Sequence, residues 1–157
     1  MPPVPPPIGL QLARVSRAIS RAFDDTLVEA GGSLPAWLVI LNLKTRRLAN
    51  QRELAEAVGI REATLTHHLN AMEVGGLITR RRDMANRRIH VVELTDSGEA
   101  AFMRLRKAAV AFDQQLRGGM TDEEIVNLQG ALDRLAHNVG TSENTSHPWL
   151  GLMDEKP

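Results

Sequence analysis

Residues 50–95 consist of three consecutive pieces, NQRELAEAVGI (50–60), REATLTHHLNAMEVGGL (61–77) and ITRRRDMANRRIHVVELT (78–95). The first two have the apolar spacing of helices, and Gly59 marks the turn between them. The third predicts two short strands joined by a tip that is rich in arginine. A helix that can enter a groove, followed by a basic hairpin, is the arrangement that a winged helix-turn-helix requires.

The bulk composition fits one globular domain, with 157 residues, 43% of them apolar and 24% charged. The chain has no cysteine, which excludes disulfides, thiolate metal sites, cysteine nucleophiles and thiol redox sensing. No apolar run approaches the ~20 residues that cross a bilayer. The N-terminus also lacks the features of a secretory signal. We therefore expect a cytoplasmic protein with no membrane partner.

The formal net charge is zero, but the charges are unevenly distributed along the chain. Residues 77–90 contain five arginines and one acid, whereas residues 113–157 contain eight acids and three basic residues. One part of the molecule should attract phosphate and another should repel it. This asymmetry favours a protein that binds DNA in one orientation over one that coats it.

The periodicity of the whole chain predicts a mainly α (α+β) fold, with helices at 8–30, 34–44, 50–59 and 61–74, strands at 77–81 and 89–94, and two long helices after Thr95 and Thr121. The outer helices carry more apolar surface than one small domain buries, which favours a homodimer. We divide the chain into a flexible proline-rich arm (1–7), dimerisation helices (8–32 and 96–140), a winged helix-turn-helix lobe (33–95) and a C-terminal tail (141–157).

The second helix of the lobe carries the candidate base-reading residues. Leu65, Leu69 and Met72 form its apolar stripe, so the opposite face, at 100° per residue, holds the groups that a groove would meet. His67 and Asn70 offer donors and acceptors to base edges. The other candidates on this helix are Arg61, for backbone phosphate, and Thr64 and Thr66, for a phosphate or a thymine methyl group.

The hairpin carries the strongest charge signal. Arg87 and Arg88 follow a tight tip, and a guanidinium on a hairpin can reach the negative potential of a narrow minor groove. Arg80 and Arg82 are candidates for phosphate, although only one or two strand arginines should reach it because side chains alternate between faces. A solvated basic surface is the alternative, and the preceding helix-turn-helix makes DNA contact the better interpretation.

Two other classes of function compete with DNA binding as interpretations of this sequence. A winged-helix module that binds only protein would keep the same fold, and the five arginines of the hairpin count against it. An enzyme is not supported, because the sequence shows no glycine-rich phosphate loop, nucleophile elbow or convincing acid pair. His67 and His68 are adjacent on a helix and diverge by 100°, so they do not favour a metal site. We expect no catalytic residue, metal or cofactor.

LAEAVGI, TLTHHLNAMEVGGLITR and DMANRRIHVVELTDSGEAAF together resemble the MarR family of bacterial transcriptional regulators, over about residues 8–139. The resemblance implies a dimeric regulator, and we expect a repressor that reads a pseudo-palindromic operator in double-stranded DNA. Asn86 stands where the family usually has an acid before the arginine pair, which implies altered mobility of the wing.

The resemblance also implies release from DNA when a small aromatic or anionic effector enters a crevice beside the dimer helices. By position, Phe23, Trp37 and His68 are candidates to line it. Plain core packing explains these three residues at least as well, and a packed or hydrogen-bonded role is favoured for His68. The effector-binding residues are therefore left unassigned.

Overall fold

The computed structural model describes residues 6–45, 50–87 and 90–140. Within them the element order is α1 (Ile8–Glu29), α2 (Leu34–Thr45), α3 (Gln51–Val58), α4 (Glu62–Val74), β1 (Ile78–Arg82), β2 (His90–Leu94), α5 (Asp96–Leu116) and α6 (Asp122–Asn138). The predicted mainly α class with a small hairpin is confirmed. The predicted tail and residues 1–5 of the predicted arm lie outside the described residues.

Local capping interactions determine where several helices begin and end. The Asn50 side chain accepts a hydrogen bond from the backbone N–H of Glu53 at 2.9 Å and starts α3. Gly59 ends that helix with a φ of 77°, a left-handed conformation that glycine adopts without steric cost. Thr121 and Glu124 form a reciprocal capping box at the start of α6. These boundaries agree with the sequence prediction.

Helix α2 lies at the centre of the core, as its apolar sequence predicts. Trp37, Val39, Ile40 and Leu41 are all buried, and they meet the buried residues Leu27, Leu54, Ala55, Leu65, Leu69, Met72, Ile78, Val92, Ala101, Phe102 and Leu105 of the surrounding elements. The core also contains one polar side chain that the apolar pattern does not predict, Asn42, which is only 2% exposed. Its amide donates to the Leu38 carbonyl at 2.8 Å, so part of its polar group is satisfied within the helix.

The two strands form an antiparallel hairpin that continues directly from α4. Its register runs from Ile78 opposite Leu94 to Arg82 opposite His90. Ile78 and Val92 face the core and are 1% and 3% exposed. Val91 is also buried, and Leu94 packs against the core. Arg82 and residues 84–87 are exposed, so this end of the hairpin projects as a wing beside α4.

The outer helices leave apolar side chains uncovered. Only Leu27 of α1 is buried, and α6 has no buried residue. The large exposed apolar residues of these two helices are Ile8, Leu10, Val15, Ile19 and Val28 of α1 and Val126, Leu128 and Leu132 of α6. No single helix in the described ranges is long and apolar enough to cross a bilayer; α1 and α2 meet that test only as a pair, with a bend of 80° between them.

Candidate nucleic-acid interface

Helix α4 presents a polar face to solvent. Leu65 and Leu69 are fully buried and Met72 is 5% exposed, which orients the helix against the core. His67 and Asn70 lie on the opposite face, and both are exposed. The predicted candidates Arg61 and Thr64 are also exposed, at the start of the same helix. The structure therefore brings four of the predicted residues to one end and one face of α4.

Thr66, another predicted contact, is half-buried and has two partners within the chain. Its hydroxyl donates to the Glu62 carbonyl at 2.9 Å and accepts from Gln51 Nε2 at 2.5 Å. These bonds connect the beginning of α3 to α4. Thr66 thus helps to set the angle between the two helices, and its hydroxyl is already engaged on that side.

Arg80, predicted to contact phosphate, is held against α4. Its Nε lies 2.9 Å and its Nη2 2.5 Å from Glu73 Oε2, and Nη2 also donates to Asn70 Oδ1 at 2.6 Å. The Arg80 side chain is only 20% exposed. The hydrogen bond from Arg80 lowers the pKa of the Glu73 carboxyl, which favours its charged form. The wing and α4 are therefore joined by a charged, hydrogen-bonded contact.

A second ion pair lies within the wing itself. Arg81 donates from Nε and Nη2 to both carboxylate oxygens of Glu93, at 3.1 and 2.9 Å. This bond raises the pKa of Arg81 and lowers the pKa of Glu93. The pair connects the two strands, so Arg81 braces the hairpin.

The wing tip is ordered by Asp83. One of its carboxylate oxygens accepts from the backbone N–H groups of Ala85 and Asn86, at 2.6 and 3.1 Å, which is the hydrogen bonding of an Asx turn. Arg87 follows this turn and is exposed, and Arg82 is exposed at the end of β1. Arg88 lies outside the described residues. The cationic tip that the sequence predicts is thus present at Arg87.

The sequence pattern does not predict the intramolecular partners at this candidate interface, which are Gln51, Glu73, Asp83 and Glu93. Glu73 lies three residues after Asn70 on α4, a spacing that puts both on one side of the helix. That spacing is the sequence feature that indicates a contact shared by Asn70 and Glu73. In the described part of the chain, no group of three His, Asp or Glu residues is placed to hold a metal ion.

A separate cavity of about 290 Å³ lies between α1, α2 and α5. Phe23 and Trp37 line it, and Phe23 stacks on Phe112 with 5.1 Å between ring centroids. His68, the third residue considered for an effector crevice, is not among the residues that line this cavity, which α4 does not border. The remaining lining residues are Ile19, Leu38, Leu41, Arg106, Ala109, Val110, Asp113 and Leu116.

Comparison with known proteins identifies the group to which this geometry belongs. The MarR family model matches residues 33–90. The solved transcriptional regulator PA3341 is 30% identical, with 85% of this chain and 98% of that one covered and a TM-score of 0.71. The transcriptional repressor CouR of Rhodococcus jostii RHA1, solved on a 23-mer DNA duplex, is 27% identical, with 83% and 92% covered and a TM-score of 0.71.

A third solved protein shares the fold at lower identity. It is BpsR of Bordetella bronchiseptica, whose DNA binding is regulated by 6-hydroxynicotinic acid. BpsR is 22% identical, with 82% of this chain and 98% of that one covered and a TM-score of 0.72. The family model and the 30% identical regulator, which this chain covers almost completely, show that the chain belongs to the MarR family of DNA-binding transcriptional regulators.

Proposed function

We propose that this protein is a cytoplasmic homodimeric repressor that reads a pseudo-palindromic operator and is released from it by a small aromatic acid. One observation carries the proposal: the polar exposed face of α4 lies beside a wing whose ordered tip presents Arg87. A polar helix can read base edges in the major groove. A cation on the neighbouring hairpin can enter the minor groove.

The dimer follows from the uncovered apolar surface of the outer helices. Val126 of α6 is 65% exposed, and Leu10 of α1 is 68% exposed. Pairing these helices with those of a second copy removes that surface from water at ~25 cal/mol per Å². In a two-fold dimer each subunit presents one α4 helix and one wing to the DNA. We therefore expect operator half-sites about one helical turn apart.

The candidate residues divide into two groups by their contacts. His67, Asn70 and Thr64 are proposed to meet base edges, and Arg61, Arg82, Arg87 and Arg88 to meet the sugar-phosphate backbone or the minor groove. Thr66 and Arg80 have hydrogen-bond partners within the chain. For these two we now propose a role in positioning α4, in place of the direct contacts that the sequence predicted.

Replacing Arg87 and Arg88 together with alanine is expected to weaken binding to every duplex sequence. Each lost phosphate contact should also reduce the slope of log affinity against log salt by about one unit, because fewer counterions are released on binding. The measurement is fluorescence anisotropy on operator and random duplexes over a range of salt concentrations. The operator is first selected from random fragments by the purified wild-type protein.

Arg104→Ala combined with Lys107→Ala is the matched control, since both positions are exposed on α5 and the same charge is removed. This variant should keep the affinity and salt slope of the wild type. Unchanged binding to random DNA after loss of Arg87 and Arg88 would remove the wing from the interface. That result would also favour the alternative that the winged helix-turn-helix lobe is a protein-binding module.

The proposed effector site is the cavity between α1, α2 and α5. Its walls are mainly apolar and aromatic, and Arg106 is the cationic residue among them. An aromatic ring would pack against Phe23 and Trp37, while a carboxylate would accept hydrogen bonds from the guanidinium. Asp113, the acid at the same cavity, is paired with Arg117 at 2.7 Å. The regulation of BpsR by an aromatic acid supports this ligand class.

An aromatic carboxylate such as hydroxybenzoate is expected to release the wild-type protein from its operator. Arg106→Gln should raise the required concentration about 10- to 100-fold, because a hydrogen bond to a charged group contributes ~1.5–3 kcal/mol. The release is followed by anisotropy of a labelled operator. The matching aromatic alcohol, which lacks the carboxylate, should act equally weakly on both proteins.

Arg104→Gln is the variant control on the same helix, and it should respond to the carboxylate as the wild type does. Val110→Trp should fill the cavity and remove the response while operator binding persists. Undiminished release of Arg106→Gln and of Val110→Trp would exclude this cavity as the effector site.

A further inference from the structure

The contact between the wing and α4 has a specific effect on the amide of Asn70. Arg80 Nη2 donates to Asn70 Oδ1 at 2.6 Å and to Glu73 Oε2 at 2.5 Å. The backbone N–H of Arg80 donates to the other Glu73 oxygen at 3.2 Å. One guanidinium is thus fixed by a carboxylate on α4 and in turn binds the amide oxygen three residues earlier on the same helix.

This arrangement fixes the orientation of the Asn70 side-chain amide. A free asparagine amide can turn by half a rotation and offer either its oxygen or its NH₂ group. Here the reversed orientation would point NH₂ hydrogens at the Arg80 guanidinium, which has only donors. The oxygen therefore stays with Arg80, and the NH₂ group is the part of the exposed Asn70 side chain that remains for a ligand.

Base edges in the major groove differ in whether they accept or donate. Guanine presents two acceptors, O6 and N7, and thymine presents O4, whereas cytosine presents the N4 donor and adenine presents the N7 acceptor beside the N6 donor. A group that can only donate therefore meets acceptors alone on a keto base, but it also meets a competing donor on adenine. The usual bidentate recognition of adenine by asparagine needs the amide oxygen and the NH₂ group together. In this protein one lone pair of that oxygen is already occupied by a cation, which makes the oxygen a weaker acceptor for a base. The cation also polarises the amide and strengthens its N–H groups as donors.

We propose that Arg80 is a positioning residue that fixes Asn70 as a hydrogen-bond donor, so that one operator position is read as a keto base, guanine or thymine, in preference to adenine or cytosine. Glu73 holds Arg80 in the place where it does this. The inference rests on the proposed function, since it assigns the specificity of the same DNA-reading face.

The test begins with selection of duplexes by the wild-type protein and by Asn70→Ala. The operator position at which the alanine variant loses its preference is the position that Asn70 reads. Affinities are then measured for four operators that differ only in the base at that position. The wild type should bind the better keto base about tenfold or more tightly than adenine. Arg80→Met should bring this ratio close to one while preferences at the other positions persist.

Arg81→Met is the matched control, because Arg81 is a neighbouring arginine of β1 that pairs with Glu93 and not with α4. It should keep the wild-type ratio. Asn70→Asp has nearly the same shape and only acceptors, so its preference should turn towards cytosine or adenine. Arg80→Lys covers the case in which Arg80→Met fails to fold: a lysine keeps the charge beside Glu73 but lacks the planar fork, and it should also lower the ratio.

The possible outcomes distinguish failure of the proposed function from failure of the inference about Asn70 alone. A wild-type protein that selects no duplex sequence would overturn the proposed function and this inference with it. A wild type that selects an operator but prefers adenine or cytosine at the Asn70 position would overturn this inference alone. This inference alone would also be overturned if the folded Arg80 variants kept the wild-type ratio. It would be overturned as well if they reduced the base preference equally at every operator position, as expected for a purely structural role.

Discussion

Introducing Leu128→Asp together with Leu132→Asp is expected to convert the protein to a monomer and to weaken operator binding at least about a hundredfold. The two leucines are four residues apart on one face of α6 and are 47% and 43% exposed. If that face is paired in the dimer, two buried carboxylates would each lose their hydration. A monomer would also lose the gain of ~10²–10⁴ that a second linked binding site provides.

The assembly is measured by analytical ultracentrifugation, and binding is measured on duplexes with one and with two half-sites. Asn127→Asp with Asn138→Asp is the matched control, since it adds the same charge at exposed positions on another side of α6. The control should remain dimeric and keep its preference for two half-sites. A leucine variant that still sediments as a dimer would place the dimer contact elsewhere.

Local interactions explain why so much of the fold was predictable. The caps at Asn50 and Thr121 and the left-handed Gly59 each act over three or four residues, so the sequence around them contains all the partners. The apolar stripe of α4 depends only on helical spacing. The orientation of the proposed DNA-reading face therefore follows from the sequence, with His67 and Asn70 on the exposed side.

The contacts that the sequence did not predict are those between elements. Arg80 and Glu73 are seven residues apart, on a strand and a helix, and their pairing depends on how the chain turns between them. Gln51 and Thr66 are fifteen residues apart and meet because α3 and α4 cross. Arginines on one strand look alike in a sequence, and tertiary packing decides that Arg80 binds α4 while Arg81 binds the opposite strand.

Gly98→Ala is expected to destabilise the folded protein by about 2–3 kcal/mol or more, because the start of α5 leaves no room for a side chain. A Cβ atom at this position would lie 2.1 Å from the Leu77 carbonyl oxygen and 3.1 Å from a methyl group of Leu94. The oxygen belongs to the backbone, so relief requires α5 to move away from the base of the wing. Overpacking of this kind typically costs ~1–3 kcal/mol, and more where backbone must shift.

The same turn is closed by hydrogen bonds that such a movement would disturb. The Thr95 N–H donates to the Leu77 carbonyl at 3.1 Å, its hydroxyl donates to the Gly76 carbonyl at 2.5 Å, and that hydroxyl accepts from the Gly98 N–H at 3.0 Å. The higher helix propensity of alanine offsets only ~1 kcal/mol of this destabilisation. The net loss should therefore be visible as a decrease in melting temperature of roughly 5–10 °C.

Gly130→Ala provides the comparison, because this glycine is also helical and its added Cβ would meet only the end of the Arg134 side chain, at 3.7 Å. That variant should be neutral or more stable by up to ~1 kcal/mol. Both are measured by thermal and urea unfolding at one protein concentration, since the stability of a dimer depends on concentration. Equal stability of the two variants would mean that α5 is not pressed against the turn after α4. The contact between Gly98 and the Leu77 carbonyl would then not be tight enough to fix the position of the wing beside α4.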